Sequence, residues 1–252
     1  LDSGEKFSKL QKEISEGENI ALKFNGEICA ILHMNEINEI DKKEEAQKLF
    51  GTLNLEHPGV KKFLALKEHF LGGKITLLKR RHSDYKVHEL TPKQTRKIFS
   101  ERGWSKVIGF HTRNVIHKSH DFIQIEGMRK GLCDGLFVHP IIGKKKSGDF
   151  EAEIIIKSYE KMIEEFYPKS KVIFGTFATY SRYGGPREAL FTALCRKNFG
   201  CSHFIVGRDH AGFKDFYHPN ASHEIFKKFT KEELGIEPIM FGKVFYSDLE
   251  NK

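Results

Sequence analysis

The sequence predicts an α/β protein in which a small β-rich part precedes a larger part built on a parallel sheet. Beyond residue 90, short apolar runs of strand length alternate with segments of helical period, the pattern of parallel strands joined by helices. Before it, two strand-like runs flank Asn25-Gly26, a strong signal for a hairpin. The predicted domains are therefore residues 1–90 and 91–252.

The first domain opens with a helical pattern around Phe7–Ile14. The runs Ile20–Phe24 and Ile28–Leu32 are the two predicted hairpin strands. A charged helix is predicted over Lys42–Phe50, and Gly72-Gly73 precede another predicted strand at residues 74–78.

The second domain begins where Thr91, Pro92 and Gln94 provide a helix cap, a first helical residue and a capping box. Its strands are predicted at residues 107–110, 136–139, 171–174 and 203–206, and its helices near 117–130, 151–167 and 186–199. In such sheets, ligands bind beyond the carboxyl ends of the strands. Polar motifs follow two of these strands, and they are the candidate functional residues.

Composition excludes several classes of protein. With 39% hydrophobic and 30% charged residues, the chain has the composition of a globular protein, and no apolar run approaches the ~20 residues that span a bilayer. The four cysteines form no CxxC pair, which favours reduced thiols and a cytoplasmic location. The net charge of +8 favours polyanionic ligands, but no RRM, KH, helix-turn-helix or zinc-finger signature is present, so nucleic acid is not an expected partner.

The first motif is His111-Thr112-Arg113-Asn114, between a predicted strand and a predicted helix start. Helix N-terminal amides bind anions, and a guanidinium fits an oxyanion. His117 and His120 share one face of the following turn and can donate to a phosphate. A solvated basic helix start is the alternative. Zinc binding by this pair lacks a third ligand.

The second motif is the glycine-flanked turn Gly207-Arg208-Asp209-His210-Ala211-Gly212, directly after a predicted strand. Arg208 can neutralise an anion, the Ala211 amide can donate to it, and His210 can reach a phosphate. Asp209 is expected to orient the loop.

Two further segments carry weaker predictions. Arg187 opens a predicted helix and either faces a phosphate or forms a buried ion pair that holds the loops. The segment Gly143–Gly148 lacks the spacing of a P-loop, so a solvated loop is expected there, with its lysines at most at the rim of an anion site.

These motifs together resemble the ATP sulfurylase (sulfate adenylyltransferase) family. Residues 110–120 resemble its QTRNPxHxxH motif, and residues 182–212 resemble its RYAGPREA…RKNxGxxHFIVGRDHAG block. Shorter matches extend the resemblance over most of residues 15–217. The resemblance implies a PUA-like N-terminal domain, a Rossmann-like nucleotidyltransferase domain, and the reaction of MgATP with sulfate to give adenosine 5′-phosphosulfate and pyrophosphate.

The resemblance also implies residue roles. Thr112, Arg113 and Asn114 would form the catalytic loop, and His117 and His120 would contact the ATP phosphates. Arg113, Arg208 and the Ala211 amide would hold sulfate. Mg²⁺ would enter with ATP, and no protein-bound metal is predicted. Because sulfate is already an anion, positioning and electrostatic stabilisation rather than a general base would supply the catalysis.

The sequence departs from the family pattern at several positions. His111 stands where the family has a Gln that contacts sulfate, and Val115 replaces a Pro. The chain also ends soon after Tyr246, so a truncated C-terminal part is expected. Two alternatives therefore stay open: a related nucleotidyltransferase with another oxyanion or nucleotide, and a catalytically silent anion- or RNA-binding relative. A homo-oligomer and a kinase domain or partner outside this chain are further expectations.

Overall fold

The computed structural model describes residues 17–80 and 83–245. The chain divides between Lys86 and Val87 into two compact units. The helix predicted around Phe7–Ile14 lies outside the described residues.

The first unit contains a three-stranded antiparallel sheet with the order β1-β2-β3. Its strands are β1 (Asn19–Phe24), β2 (Glu27–Glu39) and β3 (His69–Leu77). The predicted hairpin is confirmed, since Phe24 pairs with Glu27 around Asn25 and Gly26, whose φ angles are 48° and 83°. Positive φ at both central residues matches the turns that join right-twisted strands.

Strands β2 and β3 are longer than predicted, and Gly72-Gly73 lie within β3 instead of before it. The register between β2 and β3 shifts at this point. A Cβ on Gly73 would lie 2.0 Å from the backbone oxygen of His33. The glycine is therefore needed for the close approach of the two backbones at an irregularity of the sheet.

Two helices, α1 (Lys42–Phe50) and α2 (Pro58–Leu64), supply a small core made of Ala46, Phe50 and Val60. Helix α1 was predicted, whereas α2 was not. Helix α2 begins after His57, whose Nδ1 accepts hydrogen bonds from the amides of Gly59 and Val60. A histidine in the place of the usual Ser, Thr or Asp cap gives no sequence signal.

The second unit is built on a five-stranded parallel sheet with the order β6-β5-β4-β7-β8. Its strands are β4 (Val107–Phe110), β5 (Gly135–Val138), β6 (Val172–Phe174), β7 (His203–Val206) and β8 (Glu237–Met240). The predicted strands and their parallel arrangement are confirmed, and β8 was not predicted. Strands β4, β5 and β7 are buried throughout, as expected for a sheet covered on both faces.

The helices of this unit are α3 (Pro92–Glu101), α4 (Lys118–Lys130), α5 (Ala152–Glu165), α6 (Gly185–Asn198), α7 (Ala221–Phe226) and α8 (Lys231–Leu234). The predicted capping box of α3 is present, because the Thr91 side chain accepts from the Gln94 amide and the Gln94 side chain accepts from the Thr91 amide. A 3₁₀ turn spans Lys86–His88. The short helices α7 and α8 were not predicted, because they are too brief to show a helical period.

Strand order fixes where a ligand can bind. From β4 the chain proceeds to β5 and β6 on one side, and β7 and β8 then pair on the other side. The loops that leave β4 and β7 therefore diverge, which opens a crevice at their carboxyl ends, the usual ligand position in such sheets. Within residues 17–80 and 83–245, no helix combines the length and apolar character needed to cross a membrane.

Candidate active site

A cavity of about 280 Å³ lies at the carboxyl ends of β4 and β7. Most residues of the two predicted motifs line it: His111, Thr112, Arg113, Asn114, His120, Gly207, Arg208, Asp209, His210 and Ala211. The structure thus brings together two motifs that are about ninety residues apart in the sequence, at the switch point of the sheet.

The loop after β4 is ordered by one hydrogen bond within the loop and by one to the segment that follows β5. The Thr112 side chain is buried, and its Oγ1 accepts a hydrogen bond from the Asn114 amide at 3.1 Å. The Thr112 carbonyl accepts from the Ile141 amide at 2.8 Å. These bonds order the loop without using the side chains of Arg113 and Asn114.

Three segments orient Arg113. Its Nη2 donates to the Gly212 carbonyl at 3.3 Å, its guanidinium carbon lies 5.3 Å from the centre of the Tyr183 ring, and its Nε lies 3.8 Å from Asp149 Oδ2. Its Nε is buried and has no hydrogen-bond partner among the described residues. A guanidinium has five N–H groups, so Arg113 can still donate hydrogen bonds to a ligand in the cavity.

Asp149 and Tyr183 are site residues that sequence reasoning missed. The Tyr183 hydroxyl donates to Asp149 Oδ2 at 2.8 Å and accepts from the Lys146 amide at 2.9 Å. Lys146 Nζ also pairs with Asp149 Oδ1 at 2.6 Å. The expected solvated loop at Gly143–Gly148 is only partly observed: Lys144, Ser147 and Gly148 are exposed, whereas these contacts tie Lys146 to the residues that hold Arg113.

His117 and His120 form a stacked pair at the start of α4. Their ring centres are 3.7 Å apart with an angle of 25° between the planes. His120 lines the cavity, and His117 packs against it outside the lining. Burial, followed by the proximity of His117, lowers the pKa of His120 to about 4, and burial also lowers the pKa of His117. Both rings are therefore mainly neutral at pH 7, and each can donate one hydrogen bond.

The turn after β7 has a strained backbone. Asp209 and Ala211 adopt φ angles of 54° and 58°, which non-glycine residues rarely adopt. The strain is held by hydrogen bonds: the Asp209 amide donates to the Pro219 carbonyl at 2.8 Å, and the Gly185 amide donates to the Ala211 carbonyl at 3.1 Å. Such strain tends to occur at ligand-binding sites, where it fixes the direction of backbone donors.

The side chains of this turn differ in their surroundings. Arg208 is exposed and makes no hydrogen bond or ion pair with other described residues. His210 Nε2 lies 3.3 Å from Thr192 Oγ1, and burial lowers the pKa of His210 to about 3. Burial raises the pKa of Asp209, against the opposing charges of Arg113 and Arg208.

Arg187 lies outside the cavity and is exposed in the first turn of α6. Neither expected alternative for Arg187, a phosphate contact in the cavity or a buried ion pair, is observed, and the neighbouring acid Glu188 has other partners. Glu188 is 3% exposed, and its two carboxylate oxygens accept from the amides of Arg182 and Gly184, each at 2.9 Å. Glu188 therefore holds the loop before α6 through backbone bonds.

Arg196 is a third residue that sequence reasoning did not place at the site. It is fully buried in α6, and its Nη2 lies 2.8 Å from Nδ1 of His111 and 2.5 Å from the His139 carbonyl. The only sequence signal was its place in a motif block; a buried arginine cannot be distinguished from an exposed one by periodicity alone.

Comparison with protein families identifies the larger unit. The model of the ATP-sulfurylase family matches residues 86–252, which is more than half of the chain. The chain belongs to the ATP-sulfurylase family. The two motifs that line the cavity lie within the matched residues, and a PUA-like domain model matches residues 6–80.

Individual relatives agree with this family. A sulfate adenylyltransferase of Halothermothrix orenii is 44% identical over 92% of this chain, and one of Ignicoccus hospitalis is 44% identical over 94%. The chain spans 61% of the length of each of these relatives. A probable bifunctional SAT/APS kinase of Sorangium cellulosum is 42% identical over 88% of this chain, which covers 38% of that relative.

A solved structure supports the fold. The hexameric APS kinase from Thiobacillus denitrificans superposes with a TM-score of 0.67, covering 96% of this chain and 41% of that chain at 18% sequence identity. At this identity the likeness concerns the fold alone.

Proposed function

We propose that the chain carries the catalytic site of a sulfate adenylyltransferase, which converts MgATP and sulfate into adenosine 5′-phosphosulfate and pyrophosphate. The observation that carries the proposal is the cavity at the switch point of the sheet, where the two family motifs meet. Family membership and the identity of about 44% to sulfate adenylyltransferases support the same reaction.

The acceptor oxyanion binds between Arg113, Arg208 and the Ala211 amide. Arg113 is already oriented by its contacts with Gly212 and Tyr183, and Arg208 is free to turn towards an anion. Charged and amide donors that are oriented before the reaction stabilise an anionic transition state most effectively, since little reorganisation is needed. Sulfate needs no general base, so Asp209 serves to shape the turn.

The nucleotide phosphates bind at the start of α4. His117 and His120 donate hydrogen bonds to them, with His210 on the other side of the cavity. Mg²⁺ enters on the phosphates of ATP as part of the substrate. Thr112 and Asn114 belong to the loop that carries Arg113, and this loop positions the sulfate oxygen for in-line attack on the α-phosphate.

A related nucleotidyltransferase with a different oxyanion acceptor is the second candidate. The observation that favours it is His111, which lines the cavity at a position where the family has Gln. An acceptor screen that compares sulfate with other tetrahedral oxyanions distinguishes the two candidates.

Location and assembly are part of the proposal. The four cysteines are free thiols, which supports a reducing compartment, the cytoplasm. The likeness to a probable bifunctional SAT/APS kinase supports a kinase, fused or separate, that acts on the product. The exposed apolar side chains of Phe122 and Ile125, on one face of α4, support a homo-oligomer.

The experiment that tests the function is ATP formation from adenosine 5′-phosphosulfate and pyrophosphate with Mg²⁺. We expect ATP to form in proportion to enzyme, and sulfate to be released in equal amounts. Binding of ATP without ATP formation from adenosine 5′-phosphosulfate, together with turnover of another oxyanion, would favour the second candidate.

A further inference from the structure

The buried side chain of Arg196 is not explained by stability alone. Its exposed fraction is 0%, and it forms no ion pair with a carboxylate among the described residues. A buried guanidinium without a counter-ion is costly, because no opposite charge compensates its lost hydration. Burial lowers the pKa of Arg196 to about 10, so it remains charged at neutral pH.

The surrounding residues are shaped to hold this side chain. The His139 carbonyl accepts from Nη2 at 2.5 Å, and the Phe177 ring centre lies 4.7 Å from the guanidinium carbon. A Cβ on Gly109 in β4 would lie 2.8 Å from Cγ of Arg196. A glycine in the middle of a buried strand is thus required by the path of the arginine.

The contact between Arg196 and His111 determines which ring nitrogen carries the proton. A guanidinium can only donate, so Nδ1 of His111, at 2.8 Å, must accept with its lone pair. In a neutral ring the proton then lies on Nε2. Nε2 makes no hydrogen bond with other described residues, and His111 lines the cavity. The ring therefore has one N–H group left for a ligand.

The groups around His111 also oppose a second proton. Arg196, His210, His139 and Arg113 face the ring from four different segments. Burial, and next the charge of Arg196, lowers the pKa of His111 well below its ordinary value. A proton on Nδ1 would in addition break the hydrogen bond from Arg196.

We propose that Arg196 is a positioning residue of the acceptor site: it fixes His111 as the Nε2–H tautomer, which donates a hydrogen bond to an oxyanion in the cavity. The identity of that oxyanion rests on the proposed function, whereas the tautomer does not. Arg196 acts through His111 and does not touch the anion. A Gln at position 111 would serve the same geometry, because its carboxamide offers one acceptor and one donor group.

The tautomer can be observed directly by NMR of protein with ¹⁵N-labelled histidine rings, with His111→Gln used to assign the signal. In the unmodified protein, we expect an unprotonated Nδ1 and a protonated Nε2 from about pH 6 to about pH 8, where an ordinary histidine titrates. A protonated Nδ1 in that range would overturn the proposal, whatever the enzyme's activity.

The kinetic test uses Arg196→Met, which removes the charge and keeps most of the side-chain volume. We expect the KM for adenosine 5′-phosphosulfate to rise about tenfold, the equivalent of one hydrogen bond. The same variant should change the KM for pyrophosphate by less than about twofold. Removal of the Arg196 charge should raise the pKa of His111 relative to the unmodified protein, so the KM for adenosine 5′-phosphosulfate should fall again as the pH is lowered.

Two further variants control this result. The double variant Arg196→Met with His111→Gln should lack the new pH dependence, because it has no titrating ring at position 111. If Arg196→Met does not fold, Arg196→Leu, which also offers no donor to Nδ1 of His111, should show the same rise in KM. A folded Arg196 variant with an unchanged tautomer and an unchanged KM refutes the positioning role. Absence of turnover in the unmodified protein would refute the proposed function, and the NMR result would still decide the tautomer.

Discussion

Replacement of Arg208 by alanine separates catalysis from stability better than any other change at this site. Arg208 is exposed and makes no hydrogen bond or ion pair with other described residues. Its removal should therefore change the free energy of unfolding by less than about 0.5 kcal/mol. For a unit of this size, the corresponding shift in Tm is only about 1–2 °C.

The effect on turnover should be far larger. Loss of one donor to a developing oxyanion costs about 2.7–4 kcal/mol, which is about 100- to 1,000-fold in rate. The assay is ATP formation from adenosine 5′-phosphosulfate and pyrophosphate, with thermal unfolding measured on the same samples. Arg208→Lys should recover part of the rate, because it restores the charge but not the planar fork.

The matched control is Arg129→Ala. Arg129 is an exposed arginine of α4 that does not line the cavity, and it forms a surface ion pair with Glu126. Surface pairs of this kind contribute at most about 1 kcal/mol, so turnover should stay near that of the unmodified protein. The expected loss in Arg208→Ala is about 100- to 1,000-fold. A rate within about threefold of that of the unmodified protein would refute the placement of Arg208 at the acceptor anion.

Three further predictions concern neighbouring residues. Arg113→Ala should lower turnover at least as much as Arg208→Ala and also destabilise the fold by about 1–2 kcal/mol, measured by chemical denaturation, because the bond to the Gly212 carbonyl is lost. Gly185→Ala should lower the free energy of unfolding by about 2–5 kcal/mol in the same assay, since Gly185 has a φ of 52° and its Cβ would lie 2.7 Å from the Tyr217 ring. Gly242→Ala is the control, because nothing lies within 4 Å of an added Cβ there. Acid should destabilise the protein through His120, whose pKa is about 4 in the folded state. The unfolded chain binds a proton near pH 6.5 and the folded chain does not, so about 2 kcal/mol should be lost between pH 7.5 and pH 5, and His120→Asn should remove that part of the slope.

The sequence allowed the sheet and the two motifs to be predicted because both have local signals. Buried parallel strands appear as short apolar runs, and the capping box of α3 is present in Thr91 and Gln94. The meeting of His111–Asn114 with Gly207–Ala211 also followed, because both motifs stand at the carboxyl ends of strands.

The supporting residues could not be predicted, since their roles depend on partners far along the chain. Asp149 contacts Tyr183 and Arg113, which are 34 and 36 positions away. Arg196 reaches His111, 85 residues apart, and its burial cannot be predicted from the sequence of a helix with little amphipathic character. Of the three arginines that the sequence suggested for the site, Arg113 and Arg208 line the cavity, whereas Arg187 is exposed outside it. Tertiary packing thus determines that Arg196, and not Arg187, is the arginine of α6 that reaches the site.

The distribution of charge in the cavity bears on the proposed binding of two anions at one small site. Burial keeps the rings of His111, His120 and His210 mainly neutral, so the fixed positive charge comes from Arg113 and Arg208, with Arg196 behind His111. Guanidinium groups do not titrate near neutral pH, whereas histidines do. The attraction for an anion should therefore persist as pH rises from 6 to 8, and the neutral rings add directed N–H donors without a further cost of buried charge. A site that combines fixed cations with neutral donors can hold an oxyanion beside a nucleotide phosphate, because neither ligand must supply a proton to bind.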